Sequence, residues 1–401
     1  MKKMFLIMSM SLFLLSACGG TDVEPYIPVN KNNAGKTNIV YKDEAKALFD
    51  KINSFYKIKT GTYAGLYKEN FPNQSSDPEH SYLWGYVGLL SGAALLQQLG
   101  YNIDYATLVN QFSVYYNTAN NIGAYASSTN GRTGRGTRYY DDNAICGIEM
   151  VEAYNLLKDD TYLANCKNIV AFLKAGEDNI FDGGLWWNED EKNIQGNGNS
   201  NKPTCANGYA VNFLLRYYKV CNSSEKNEVL NLAKRLYSWL KANLKDPEDN
   251  CYWNDKQANG TINKTKWTYN TGVMVSNGVL MYEVTGNQDY LTDAILSAEG
   301  GYNYFVRPRN GMALAYPDSD PWFNTKLLKA YTELTKYNKN AAKYIDTYVS
   351  FMNHAFTDAR TQEGFYYEDW TGASPKRFYQ LLTQDAALES LGLISIYKNE
   401  K

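Results

Sequence analysis

The chain has 401 residues, with 40 basic against 42 acidic side chains and a formal net charge of −2. That length allows one large core or two ordinary ones, and the balanced charge argues against a nucleic-acid partner, whose phosphates demand a basic excess. Only 2 His leave little material for a His-rich metal centre, whereas 35 Tyr and 8 Trp suit contact with polar, ring-shaped ligands, although most of the tyrosines serve packing.

Residues 1–17 open with Met-Lys-Lys, continue as an apolar run from Met4 to Leu15, and close on Ser16-Ala17. This pattern predicts an export signal, with a positive start, an apolar stretch too short for a bilayer, and small residues before a cut. Leu15-Ser16-Ala17-Cys18 resembles the bacterial lipoprotein cleavage box, which implies a lipid on Cys18 and attachment to a membrane of the cell envelope, on its periplasmic or surface side. Residues 18–40 carry Gly, Thr, Pro, Asn and Lys without periodicity, and read as that cysteine plus a flexible tether. Residues 41–401 form the folded domain.

From there the chain alternates between two helical patterns. Amphipathic segments with a charged face are expected near 43–58, 103–118, 160–175, 224–244, 287–305 and 340–357. Segments apolar on every side are expected near 81–98, 141–157, 206–220, 270–285, 323–336 and 384–397. A helix apolar all round belongs in an interior, and one with a charged stripe belongs on a rim. Six such pairs in strict alternation predict an all-α (α/α)6 barrel. Links from inner to outer segments are tight, whereas outer-to-inner links run roughly 15–30 residues and carry most of the Trp and Gly. Long loops in a compact domain are usually functional, which places the working face at the N-terminal ends of the inner helices.

The candidate residues fall at that end. Tyr139-Tyr140-Asp141-Asp142-Asn143 puts two adjacent carboxylates at the start of the second inner helix, with Cα atoms about 3.8 Å apart. Retaining glycosidases use two carboxyls roughly 5–5.5 Å apart, one nucleophilic and one protonated, and neighbouring charges drive their pKa values apart. The same three residues are also good helix-capping material, so spacing leaves both readings open. Gly183-Gly184-Leu185-Trp186-Trp187-Asn188 suits either a sugar-stacking platform or a seal over the barrel mouth. Trp267-Thr268-Tyr269-Asn270-Thr271-Gly272 brings an aromatic ring and an amide to a fourth inner helix, while Asn207-Gly208, Gln384-Asp385 and Trp84 stand at equivalent places in their own repeats. A ring of such polar helix starts around one opening reads as a pocket lining. Arg135 and Arg138 lie close enough in sequence to orient a carboxylate of the pair.

Other chemistries find little support. No phosphate-binding glycine loop occurs, and His80 and His354 lack metalloprotease spacing. Besides Cys18 there are Cys146, Cys166, Cys205, Cys221 and Cys251, none in a Cys-x-x-Cys pair, and several within apolar helical stretches. They are expected to be small buried thiols rather than a metal or redox centre. No metal or cofactor is implied, and no dimerisation feature stands out, so a monomer is expected.

In combination, Tyr-Tyr-Asp-Asp-Asn at 139–143, Gly-Gly-Leu-Trp-Trp at 183–187, Trp-Thr-Tyr-Asn-Thr-Gly at 267–272 and Gln-Asp-Ala-Ala at 384–387 resemble glycoside hydrolase family 76, the bacterial endo-α-1,6-mannanases, from about residue 45 to 397. The resemblance implies a metal-independent enzyme that cuts internal α-1,6-mannosidic bonds with retention of configuration. It assigns Asp141 as nucleophile and Asp142 as acid/base, and suggests Trp84, Tyr140, Trp186, Trp187, Asn207, Tyr269, Asn270 and Asp385 as residues holding a mannan chain or manno-oligosaccharide. Ile145-Cys146 departs from the bulky aromatics that often follow Asp-Asp-Asn in the family, which implies a reshaped subsite. Two other readings remain: a related retaining α-mannoside hydrolase or transglycosylase, and a lipid-anchored mannan-binding protein without hydrolysis. The intact acid pair speaks against the binder.

Overall fold

The computed structural model describes residues 39–129 and 136–400. The export signal, Cys18, most of the tether and Arg135 lie outside the described residues. Twelve α-helices run through the described part in chain order. They are α1 (Tyr41–Phe55), α2 (Leu83–Gln98), α3 (Tyr105–Gln111), α4 (Tyr140–Leu157), α5 (Thr161–Gly176), α6 (Thr204–Val220), α7 (Ser223–Leu244), α8 (Thr268–Thr285), α9 (Gln288–Phe305), α10 (Pro321–Leu334), α11 (Ala341–Asp358) and α12 (Leu381–Tyr397).

The even-numbered helices form a closed inner ring, each packed on the next and α12 packed back on α2. The odd-numbered helices lie outside it; α1 contacts α12 and α2, for example, and α9 contacts α8 and α10. The result is an (α/α)6 barrel. Composition explains which helix goes where. Along α8 every residue from Thr268 to Met281 is buried, as a helix with neighbours on all sides requires. Along α7 the buried set is Val229, Leu232, Ala233, Leu236 and Leu240 with their neighbours one turn on, and Lys234, Arg235 and Lys241 face outward. The inner helices approach closely where side chains are missing. A Cβ on Gly272 of α8 would stand 2.8 Å from Leu327 Cα of α10, a backbone atom that cannot yield.

All six outer–inner pairs lie within a few residues of their sequence-predicted places, with one exception. The helix expected over 103–118 stops at Gln111, passes through a 3-10 turn over Phe112–Tyr115, and becomes a strand at Tyr116–Asn117 paired with Ala124–Tyr125. Beyond that strand the Arg138 guanidinium binds the carbonyls of Asn117, Ala119 and Ile122 and holds the loop that follows.

Inner-to-outer connections are short, such as Lys158–Asp160 and Gly286–Asn287, and the long loops all gather at the N-terminal ends of the inner helices. These loops carry small antiparallel sheets: 201–203 with 253–257 and 262–266, and 307–309 with 312–315. Asn70–Phe71 pairs with Tyr379–Gln380, joining the first long loop to the last across the seam of the ring. The five cysteines of the domain are free thiols and buried, as expected. No helix of the described residues is long and apolar enough to cross a membrane.

Candidate active site

Five of the six inner helices begin alike, and in α12 the second residue, Leu382, packs against Gly88 of α2 instead. The second residue is Trp84 in α2, Asp141 in α4, Cys205 in α6, Tyr269 in α8 and Trp322 in α10. These side chains meet one another around the barrel mouth. The Trp84 and Trp322 rings lie 4.8 Å apart, Trp84 Nε1 donates to Asp142 Oδ1, Cys205 Sγ donates to Asp141 Oδ2 at 3.1 Å, and Tyr269 interacts electrostatically with Cys205.

The fourth residue of several inner helices faces outward and holds a long loop. Asn143 accepts from Tyr125 N at 2.7 Å and donates to the carbonyls of Tyr125 and Tyr139. Asn207 accepts from Leu185 N at 2.7 Å and donates to the carbonyls of Leu185 and Pro203. Gln384 treats Tyr366 in the same way. An amide can both donate and accept, so one side chain pins both backbone groups of a loop residue and one helical carbonyl.

The aspartate pair lies inside this ring, and neither aspartate caps α4. Tyr139 holds the capping position, and its own side chain makes no capping bond. Both carboxyls are buried, yet their surroundings differ. Asp141 Oδ2 accepts from Trp187 Nε1 and from Cys205 Sγ, each at 3.1 Å, and Oδ1 accepts from Asp142 N at 3.0 Å. Asp142 has the Trp84 indole on Oδ1, and its Oδ2 is buried without a partner. Burial raises both pKa values above the ordinary carboxylate range. At Asp141 the donors pull back against that rise, whereas at Asp142 the charge of Asp141 adds to it and holds the group well up. The helix N-terminus favours negative charge on the pair, and the three donors favour it at Asp141 over Asp142.

Trp187 reaches the pair because Gly183 and Gly184 turn the chain through φ values of +124° and +79°. A Cβ on Gly184 would also strike the Trp239 ring. The extended segment that follows sends neighbouring side chains to opposite sides. Trp187 points toward Asp141, with the Tyr139 ring 4.9 Å away. Trp186 points back into the wall, fully buried, with Nε1 bonded to Asp178 at 2.6 Å and Lys202 Nζ over its ring.

Of the expected ligand-holding residues, Trp84 and Trp187 touch the pair directly and Tyr269 touches it through Cys205. Several others lie elsewhere. Tyr140 is turned outward and stacks on Phe172 of α5 at 4.6 Å; its neighbour Tyr139 is the tyrosine facing the carboxylates. Trp186 and Asn207 brace the loop rather than line the mouth, for the reasons given above. Asn270 donates to Asn254 Oδ1 at 3.2 Å and leaves its own Oδ1 buried and unpartnered. Asp385 is enclosed between α12 and Gly88 of α2, both oxygens without a hydrogen bond, and burial together with Glu389 and Glu69 raises its pKa well up. Arg138 orients a carboxylate, but that of Glu189, through two 2.6 Å bonds. His80 is held by Ser81 O and Thr129 Oγ1, away from the chemistry.

Tyr139, Cys205 and Trp322 were not singled out from the sequence. Their signal was positional, since each stands at or beside the start of an inner helix, and Pro321 marks the start of α10. Ile145 lines a cavity of about 10 Å3 with Trp84, Val87, Asp142 and Trp322, and also a deeper one of about 40 Å3 along the axis with Glu149, Tyr209 and Arg216. It forms the floor under Asp142. Cys146, its neighbour, is fully buried, and its thiol is pushed well up by burial.

The sequence profile of glycosyl hydrolase family 76 matches residues 40–392. The chain belongs to that family. Solved structures from family 76 share its fold. A family 76 mannosidase from Bacteroides thetaiotaomicron is 22% identical, with 90% of this chain and 99% of that chain covered and a TM-score of 0.79. An α-1,6-mannanase from Salegentibacter sp. HEL1_6 is 20% identical over 89% of this chain and 99% of that one, with a TM-score of 0.72; it is an inactive variant, two adjacent aspartates replaced by asparagine, in complex with α-1,6-mannotriose. Dfg5 from Chaetomium thermophilum, in complex with glucosamine, is 14% identical over 90% of this chain and 91% of that one, with a TM-score of 0.68. No curated protein matches the chain. Family 76 is a family of glycoside hydrolases, and this member carries Asp141 and Asp142 side by side at the mouth of the barrel.

Proposed function

We propose that the protein is a retaining endo-α-1,6-mannanase, with Asp141 as nucleophile and Asp142 as general acid/base. The observation that carries this reading is the unequal treatment of two adjacent buried carboxyls. Asp141 accepts three hydrogen bonds suited to an ionised group, and Asp142 keeps one oxygen bare in surroundings that favour its proton. The mannan-active relatives described above support the substrate class.

In the first step Asp141 attacks the anomeric carbon and forms a mannosyl ester, while the Asp142 proton passes to the departing glycosidic oxygen. In the second, the Asp142 carboxylate takes a proton from water, whose oxygen attacks the same carbon and releases Asp141. Tyr139, Trp84 and Trp187 surround the pair and offer aromatic faces to the sugars on either side of the cut.

The test is product analysis with linear α-1,6-mannan, following the anomer first released by NMR. The wild-type protein is expected to release short manno-oligosaccharides whose new reducing ends are α. Asp141→Asn and Asp142→Asn should each lose at least about 10³-fold in rate. Azide should rescue the Asp141→Ala protein with an activated mannoside, giving the β-azide. Binding without release of sugars would replace hydrolysis with capture, and a β product would remove the covalent step.

A further inference from the structure

The five buried thiols of the domain are not equivalent. Cys166 and Cys221 donate to backbone carbonyls at 3.8 Å and 3.7 Å, ordinary contacts for a thiol packed in a helix. Cys205 instead donates to a carboxylate, Asp141 Oδ2, at 3.1 Å. Tyr269 stands beside the thiol and acts on it electrostatically, and the Tyr269 ring is fixed by stacking on Phe323 at 4.1 Å. Tyr269, Cys205 and Asp141 each occupy the second position of successive inner helices, α8, α6 and α4. The order of helices around the barrel thus becomes a row of polar groups ending on one oxygen.

We propose that Cys205 is a positioning residue, its thiol braced by Tyr269, that holds the Asp141 carboxylate in attacking orientation and in its ionised form. This rests on the assignment of Asp141 as nucleophile. Burial and the neighbouring Asp141 charge push the thiol well above its ordinary pKa, so Cys205 keeps its proton and has a hydrogen to give. Tyr269, likewise pushed up by burial and by Cys205, keeps its own proton beside the sulfur. A thiol so protected is a poor target for oxidants, which separates this role from redox sensing. The Trp187 indole holds the same oxygen from the loop side, so Asp141 Oδ2 is fixed from two directions while the sugar approaches from a third.

The test compares Cys205→Ala, Cys205→Ser and Tyr269→Phe with the wild-type protein, in pH profiles of kcat/KM on α-1,6-mannan and in the infrared S–H stretch. A hydrogen bond to the ionised carboxylate lowers its pKa, so losing that bond raises it. Cys205→Ala is expected to move the acid limb up by about one unit and to cut kcat/KM at that limb about tenfold. Cys205→Ser, which keeps a donor, should return the limb to the wild-type position. Tyr269→Phe should shift it in the same direction by less. The hydrogen-bonded S–H band of the wild-type protein should move to higher frequency in Asp141→Ala and disappear in Cys205→Ala. An acid limb unmoved in a folded Cys205→Ala protein, or an S–H band indifferent to Asp141→Ala, would overturn the proposal. A wild-type protein that leaves the mannan uncut while its S–H band responds to Asp141 would instead overturn the mannanase reading and leave the contact standing.

Discussion

Two indoles face the two aspartates, and removing each should move a different limb of the pH profile. Trp187 donates to Asp141 and Trp84 to Asp142, and both bonds favour the ionised acid. Trp187→Phe should raise the pKa of the nucleophile, move the acid limb upward and narrow the active range. Trp84→Phe should raise the pKa of the proton donor, move the alkaline limb upward and widen it. Trp187→Phe removes a hydrogen bond to the ionised nucleophile, so a loss of about tenfold in kcat/KM is expected alongside its shift, and the loss in Trp84→Phe, whose bond goes to the protonated acid, should be smaller. The kcat/KM pH profiles of the two variants check this, and shifts of one common limb would contradict the division of roles. At this scale the aspartates were legible, because adjacency at a helix start is a pattern in sequence. The direction of each aromatic was not. Trp186 and Trp187 are chemically identical neighbours, and a glycine turn that puts one in the wall and the other at the pair is decided by φ values.

The inner helices carry two functions a few residues apart. Their second residues face the mouth, and their fourth residues clamp the loops that finish it. Asn207 shows the cost of confusing the two. It stands at the expected place in its repeat, yet all three of its hydrogen bonds go to backbone groups of Leu185 and Pro203. Asn207→Ala would leave buried backbone groups unpaired and should destabilise the protein by about 2–4 kcal/mol. It should also loosen the segment that carries Trp187. Urea unfolding would give the first value, and faster hydrogen exchange at the Leu185 amide would report the second. Unchanged exchange there would show that the sheet at 201–203 holds the loop without the clamp.

At the scale of the barrel, the mouth and the axis are polar although they are buried. Glu149 bonds Ser91, Glu389 pairs with Lys326, and Glu333 binds Arg216 and Ser276. Asp141, Asp142, Glu149 and Asp385 all have pKa values raised by burial. Folding therefore favours their protonated forms. The stability they allow is complete below the unfolded carboxylate range, around pH 4, and declines as pH rises through the folded values. Asp385 is the cleanest test because it has no hydrogen-bond partner and lies apart from the pair's donors. Asp385→Asn should be more stable than the wild-type protein at pH 7, by something on the order of 1 kcal/mol, and the advantage should vanish near pH 4. Denaturant unfolding at the two pH values measures it. A constant difference would mean that Asp385 does not titrate with folding.

The sequence by itself determined the barrel and the place of two adjacent carboxyls at one of its inner helix starts. Helical periodicity is local, so a charged stripe on Glu225–Leu244 and its absence from Tyr86–Ala94 sort outer from inner helices without any knowledge of neighbours. Loop lengths then pointed to the end that works. The short sheets at the mouth left fainter traces, the Asn-Gly turns at 259–260 and 310–311, each within a paired hairpin. Tertiary structure decided what depends on atoms far apart in the chain. Arg138 gathers the carbonyls of Asn117, Ala119 and Ile122 from the loop after α3, and 64 residues separate Cys205 from the aspartate it holds. Such contacts have no local pattern to betray them. They exist only once the ring has closed and set six helix starts facing one opening.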